Sequence, residues 1–271
     1  MKSNNIRNWI EDLPKRGKIT FSKEEIEEQF PNLANHNIQM TLSRLAQKKK
    51  IQSVWRGFWV IVPVEYGLKG VVDPVEYIDA LMKFLNKQYY VALLNAAELH
   101  GAAHQAPQEF FVITNTTKLR SKMKKDVKIN FVAKKVITQN HVKILLTGND
   151  CVNVSTAILT AYDLVCYMKK AGGVNRVATI LNELAEKVNF SNVDKEFMRS
   201  FNIAVTQRLG YLFEELGFEE IANKLHRKAK IAELKFRKTP LVVVDKTKDL
   251  SKYPVSERWH LIINEQIDID E

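Results

Sequence analysis

Apolar residues near the start of the chain recur at helical spacing. Ile6, Trp9, Ile10 and Leu13 share one face of a short helix over 5–13, which Pro14 and Gly17 stop. An extended piece, Ile19-Thr20-Phe21, comes next. Ser22 then opens a second helix, with Glu25 three residues on completing a capping-box pattern, Ile26 and Phe30 forming its apolar stripe, and Pro31 ending it. The spacing predicts a third helix over 35–48. At about 100° per residue, Ile38, Leu42 and Leu45 cluster on one side. His36, Met40, Ser43 and Gln47 lie opposite, flanked by Asn37, Gln39 and Arg44.

That outer face is rich in amides and hydroxyls and carries a guanidinium. Such groups read base edges in the major groove, Arg pairing with guanine and Asn or Gln with adenine, although a polar outer face is also what any surface helix shows. The sequence after the helix shifts the balance. Lys48, Lys49 and Lys50 close it, and 51–55 and 58–62 read as two strands joined by a tight turn at Arg56 and Gly57. Helices followed by a hairpin, with cations at the helix end and the hairpin tip, form the winged helix-turn-helix pattern that grips phosphates on both sides of a groove. His36, Asn37, Gln39, Ser43, Arg44, Gln47, Lys48 and Arg56 are therefore the candidate DNA-binding residues.

A linker over 63–74 leads to segments that read as helices, 77–84 and 91–100. Strand-like alternation follows at 110–113, 127–132 and 141–146. The lysine-rich stretch between the first two of these reads as an exposed loop able to meet phosphate or an acidic partner. From Ser155 onward the pattern is largely helical, at 155–170, 174–188, 195–216 and 219–226. Ser155 reads as an N-cap and Gly172-Gly173 as a helix end, and short strands return at 241–244 and 259–263. The architecture is α+β: a winged helix-turn-helix at 1–62, then a larger mixed domain over 75–271, with strands and helices over 75–150 and mainly helices over 151–271.

Composition narrows the function. The chain has 271 residues and a formal net charge of +10, with 45% hydrophobic and 27% charged residues. These values fit a globular protein of more than one domain and exclude disordered, collagen-like and disulfide-scaffold classes. No apolar run reaches membrane-spanning length and the start lacks the apolar core of a signal peptide, so a cytoplasmic protein with no membrane partner is expected. The positive charge is segregated into 44–56, 118–135 and 224–238, while the tail reverses sign with Glu265, Asp268, Asp270 and Glu271. Cys151 and Cys166 stand in no metal-binding spacing and read as buried, reduced thiols.

Catalytic signals are weak. His100 and His104 have the spacing of a helical metal pair, but Gly101 follows at once and no third ligand is placed. Asp268 and Asp270 lack the upstream helix start of a nucleotidyltransferase, and Glu233-Leu-Lys235 lacks a strand-borne aspartate before it. There is no phosphate-binding loop and no recognisable nucleophile context. A non-enzymatic protein without a cofactor is expected.

Several segments, each weak alone, stand together in an order that resembles the AbiEi antitoxins of type IV toxin–antitoxin (abortive infection) systems. They are 42–45 through 56–63, then 89–101 with 108–113, 154–156 to 160–164, 172–181 with Glu183 and Leu184, 207–213, and 258–264. Ile158 departs from the pattern, where a charged residue is expected. The resemblance implies a winged helix that represses its own operon at inverted repeats in the promoter. It also implies a C-terminal domain that counteracts a nucleotidyltransferase toxin encoded alongside, in phage defence, without a required stable complex. For antitoxin activity it points to Tyr89, His100, Gln207, Arg208 and Tyr211, with a plain core role as the alternative for several of them. By charge alone, Lys122, Lys124 and Lys125 in the lysine-rich loop form a further candidate partner surface, with a solvated loop as the alternative. A winged-helix regulator whose C-terminal domain senses a ligand is the main alternative reading.

Overall fold

The computed structural model describes residues 5–66, 71–102, 107–117, 119–124, 127–147, 150–245, 247 and 249–269. By internal contacts the chain forms two compact units that interleave along the sequence. Met1–Tyr90, Gln108–Ile137 and Ile144–Asn153 make the first, and Val91–Pro107, Thr138–Lys143 and Val154–Glu271 the second.

The first unit opens with α1 (Ile6–Asp12), whose N-cap Asn5 accepts from the Asn8 amide. Strand β1 (Thr20–Ser22) leads directly into α2 (Lys23–Gln29). The Ser22 hydroxyl accepts from the Glu25 amide while Glu25 accepts from the Ser22 amide, the reciprocal box expected from the sequence, a cap that contributes about 1 kcal/mol. Next come α3 (Asn35–Gln47), β2 (Ile51–Trp55) and β3 (Phe58–Ile61). The three-stranded sheet has the order β1-β3-β2, antiparallel throughout, as expected of a winged helix-turn-helix. Ile38, Leu42 and Leu45 turn inward from α3 to join Ile6, Ile10, Phe21, Ile26 and Ile51 in a continuous core. Lys49, with φ of 54°, carries the chain out of α3 in the left-handed region, and the Lys50 amide returns to the Leu45 carbonyl, which ends the helix sharply.

The wing is anchored from behind. Trp55 meets Phe131 edge-on at 5.9 Å between ring centres, and Phe58 meets Phe84 at 5.2 Å. Phe84 belongs to α4 (Ile78–Phe84), and Phe131 to a six-stranded sheet. That sheet is built from β4 (Tyr89–Val91), β5 (Glu109–Thr114), β6 (Lys122–Lys124), β7 (Val127–Ala133), β8 (Val142–Thr147) and β9 (Asp150–Ser155); α5 (Leu93–Leu99) interrupts the run after β4. Its order is β6-β7-β5-β4-β9-β8, with β5 parallel to β7 and β6 antiparallel to β7.

Here the structure corrects several expectations. The helix predicted over 91–100 begins only at Leu93, because Tyr89–Val91 pairs into the sheet as β4. The lysine-rich loop contains a strand, with Lys122 beside Ile129 and Lys124 beside Val127, while Lys118, Lys125 and His104 lie outside the described residues.

In the second unit, α6 (Ala157–Cys166) is buried along almost its whole length. Its neighbours are α5, α7 (Val174–Leu184) and α9 (Ile203–Glu215). The cap of α6 is Thr156 rather than Ser155, which closes β9. Gly172 and Gly173, at φ of 97° and 100°, form the entry to α7 rather than the end of α6. The long helix expected over 195–216 is broken into α8 (Lys195–Arg199) and α9, because the Asn202 side chain accepts from the Ala204 amide and starts a new helix. Finally α10 (Glu219–Ile231) precedes β10 (Thr239–Pro240), β11 (Val255–Ser256) and β12 (Leu261–Ile262), ordered β10-β12-β11. The strand expected over 241–244 therefore does not form, since Asn264 occupies the Val242 backbone amide and carbonyl with its own side chain. Ile158 lies in the core. Neither cysteine is fully buried as expected; Cys151 is half-buried and Cys166 exposed.

Candidate nucleic-acid interface

Three local features of the first unit converge. The wing turn is Arg56-Gly57, where Gly57 adopts φ of 79°. A side chain at 57 would be strained there, which leaves Arg56 as the exposed tip. The Lys23 amide, first in α2, donates to the Gly57 carbonyl at 2.9 Å and fastens the helix start to the turn. Beside them runs the outer face of α3. Together they line a groove bounded by Gln39, Ser43 and Ala46 on α3, Lys23 and Glu24 on α2, and Arg56 and Trp59 on the wing.

The structure thus brings Gln39 and Ser43 together with Arg56. His36, Asn37, Arg44, Gln47 and Lys48 are all exposed on the same helix but do not line the groove. Sequence reasoning missed Lys23, Glu24 and Trp59, although the signal was present. Once Ser22 is the N-cap, the next two residues must occupy the first turn, at the end of α2 that meets the wing. The amide and hydroxyl in the groove can donate to and accept from base edges, and the guanidinium at its rim suits phosphate. Of the lysines that end α3, Lys50 is engaged by Glu11 at 2.8 Å, an exposed pair that, with Arg7, holds the Glu11 carboxyl below its ordinary range. Lys48 and Lys49 remain solvent-facing.

The residues indicated for the antitoxin role are placed differently. Tyr89 is buried; its hydroxyl donates to Asp79 Oδ1 at 2.9 Å and accepts from the Asn153 amide at 3.3 Å. Burial, followed by the nearby Asp79 charge, raises its pKa far above the usual range. His100 is also buried, with Nε2 2.7 Å from the Ser155 carbonyl, while Lys187 donates to the His100 carbonyl. Desolvation, together with the charges of Lys143 and Lys187, lowers its pKa. Ser155 in turn binds Thr160 at 2.7 Å, so two of the segments that carry the family resemblance lock together.

A second such lock joins 207–213 to 258–264. Gln207, 1% exposed, donates its carboxamide to the carbonyls of Arg237 at 2.8 Å and Trp259 at 2.6 Å. Half-buried Arg208 donates through Nε and an Nη to the Pro240 carbonyl. Trp259, fully buried, lies over Gly210 and donates from Nε1 to Glu214, which also receives Arg258. Tyr211 is half-buried, and desolvation raises its pKa. Tyr89, His100 and Gln207 are thus buried, and each bonds the backbone of a neighbouring segment, Tyr89 the Asp79 carboxylate as well. Lys122 and Lys124 stand on an edge strand of the sheet.

No set of three metal-ligating side chains comes together among the described residues, and no helix there is long and apolar enough to cross a membrane. Glu233, weighed above as a nuclease residue, pairs with Arg199 at 2.9 Å.

The fold defines an α+β protein whose N-terminal segment has winged-helix-like topology and whose C-terminal part is rich in helices. Residues 90–215 match the family model described as the AbiEi antitoxin C-terminal domain, so that part of the chain is similar to the AbiEi antitoxins. The Rv2827c protein from Mycobacterium tuberculosis is similar in structure, with a TM-score of 0.68 over 94% of this chain and 90% of that one at 12% identity, which shows a shared fold. No curated protein sequence matches the chain.

Proposed function

We propose that the protein is a transcriptional autorepressor and the antitoxin of a type IV system. Residues 1–62 would bind operator DNA, inverted repeats in its own promoter, and the domain over 75–271 antagonises a nucleotidyltransferase toxin encoded alongside. It works in the cytoplasm, without catalysis or cofactor. The observation that carries the DNA half is the groove that joins Gln39 and Ser43 to the Arg56 wing tip. The matched antitoxin domain supports the other half.

The test uses the full-length chain, because removing 1–62 would strip Phe84 and Phe131 of their aromatic partners. With Arg44→Ala and Arg56→Ala combined, a promoter reporter is expected to be derepressed while cells still survive toxin expression. Loss of both activities together, in a variant that folds normally, contradicts the division of labour. A toxin gene beside this one separates the reading from a plain ligand-sensing regulator.

A further inference from the structure

The six-stranded sheet ends on two unlike edges. At one end β6 reads Lys-Met-Lys; at the other β8 reads Val-Lys-Ile-Leu-Leu-Thr. Lysines on an edge strand hinder pairing with another chain, and β6 is built that way. β8 is not. Its single charge is Lys143, and it contains no proline. Ile144 is 70% and Leu146 85% exposed, on one face of the strand because side chains alternate, while Leu145 is half-buried on the other. Among the described residues no strand pairs with the outer side of β8.

We propose that β8 is a dimerisation edge. A second copy of the chain adds its own β8 antiparallel to the first, about a two-fold axis through Leu145. The strand's own sequence selects this occupant. Identical strands paired antiparallel form a closed, isologous contact that leaves no open end. If both copies keep the same face of the sheet outward, opposed residues must share that face. Centred on Leu145, the register sets Ile144 of each copy against Leu146 of the other, so the apolar pair occurs twice. Lys143 falls opposite Thr147, and no two like charges meet. The exposed apolar pattern is therefore complementary to itself, in the manner that stabilises antiparallel cross-strand pairs. The net charge of +10 opposes association at long range, but it is not concentrated at this edge. The proposal stands apart from the DNA-binding reading.

The test is sedimentation velocity on the full-length, nuclease-treated protein over a wide concentration range. The wild-type boundary is expected to move from monomer to dimer as concentration rises, and at lower concentration in higher salt, because screening removes the long-range repulsion. Leu146→Lys, with an unchanged unfolding midpoint, is expected to weaken the dimer by about tenfold or more, since it sets a cation within the apolar pair. Should that variant fold poorly, Ile144→Thr combined with Leu146→Thr preserves strand propensity and gives the same loss. A wild type that stays monomeric at every concentration overturns the proposal and leaves the edge to a different chain. So does a dimer unaffected by these changes, or one that dissolves as salt is raised.

Discussion

The ring of Trp259 fills the space that a side chain on Gly210 would need: a Cβ there would lie 2.1 Å from Cη2 of the indole. The ring cannot simply swing away, since Glu214 holds its Nε1 at 3.0 Å. Alanine is the better helix former, by about 1 kcal/mol, but the overlap is with a rigid, fully buried ring. Gly210→Ala is expected to lower stability by about 3 kcal/mol in urea unfolding. Adding Trp259→Phe should recover part of that loss, giving a strongly non-additive cycle.

Tyr89 tests whether the motif residues are structural. Tyr89→Phe removes the hydroxyl that satisfies Asp79 Oδ1 and the Asn153 amide, and should cost about 1–3 kcal/mol. Toxin rescue in cells is expected to decline only as far as protein abundance does. A large loss of rescue at unchanged stability would instead make Tyr89 a contact residue.

His100 gives the fold a pH dependence of definite sign. Burial lowers its pKa from the ordinary 6.5, so below that value the unfolded chain binds a proton more readily than the folded one. The stability this group contributes is fully present above pH 6.5 and is lost as pH falls through 6.5 toward the lowered folded value. His226 shifts the same way, through desolvation and then the charges of Arg258 and Lys230. Urea unfolding at about pH 5 and about pH 8 should show a smaller difference for His100→Gln than for wild type.

On the DNA side, the two arginines should behave differently. Arg56→Ala is expected to weaken binding to all sequences alike and to reduce the salt slope by about 1. Arg44→Ala should cost about 1–3 kcal/mol at one base step and relax choice there. Gel-shift titrations against the promoter and against scrambled DNA, at two salt concentrations, separate the outcomes.

Much of the N-terminal segment was legible because its signals are local. The Ile38, Leu42 and Leu45 stripe, the Ser22 box and the Arg56-Gly57 turn each sit within a few residues of their partners, and each formed. The elements that were misread depend on distant chain. β4 and β6 span three residues each, too few to show alternation, and their partners are supplied by other strands of the sheet. The break between α8 and α9 turned on one asparagine cap within a run of good helix formers. The roles of Gln207 and Gly210 were illegible for the same reason: both are set by Trp259, and nothing in 207–213 announces it.

The aromatic contacts behind the wing bear on how such a protein can be altered. Phe58 is buried and Trp55 half-buried, with Phe84 packed against the first and Phe131 against the second. The N-terminal segment is thus not a portable cassette. Exchange of side chains on the outer face of α3 leaves these contacts intact, whereas a wholesale graft from a distant relative would arrive with a mismatched underside.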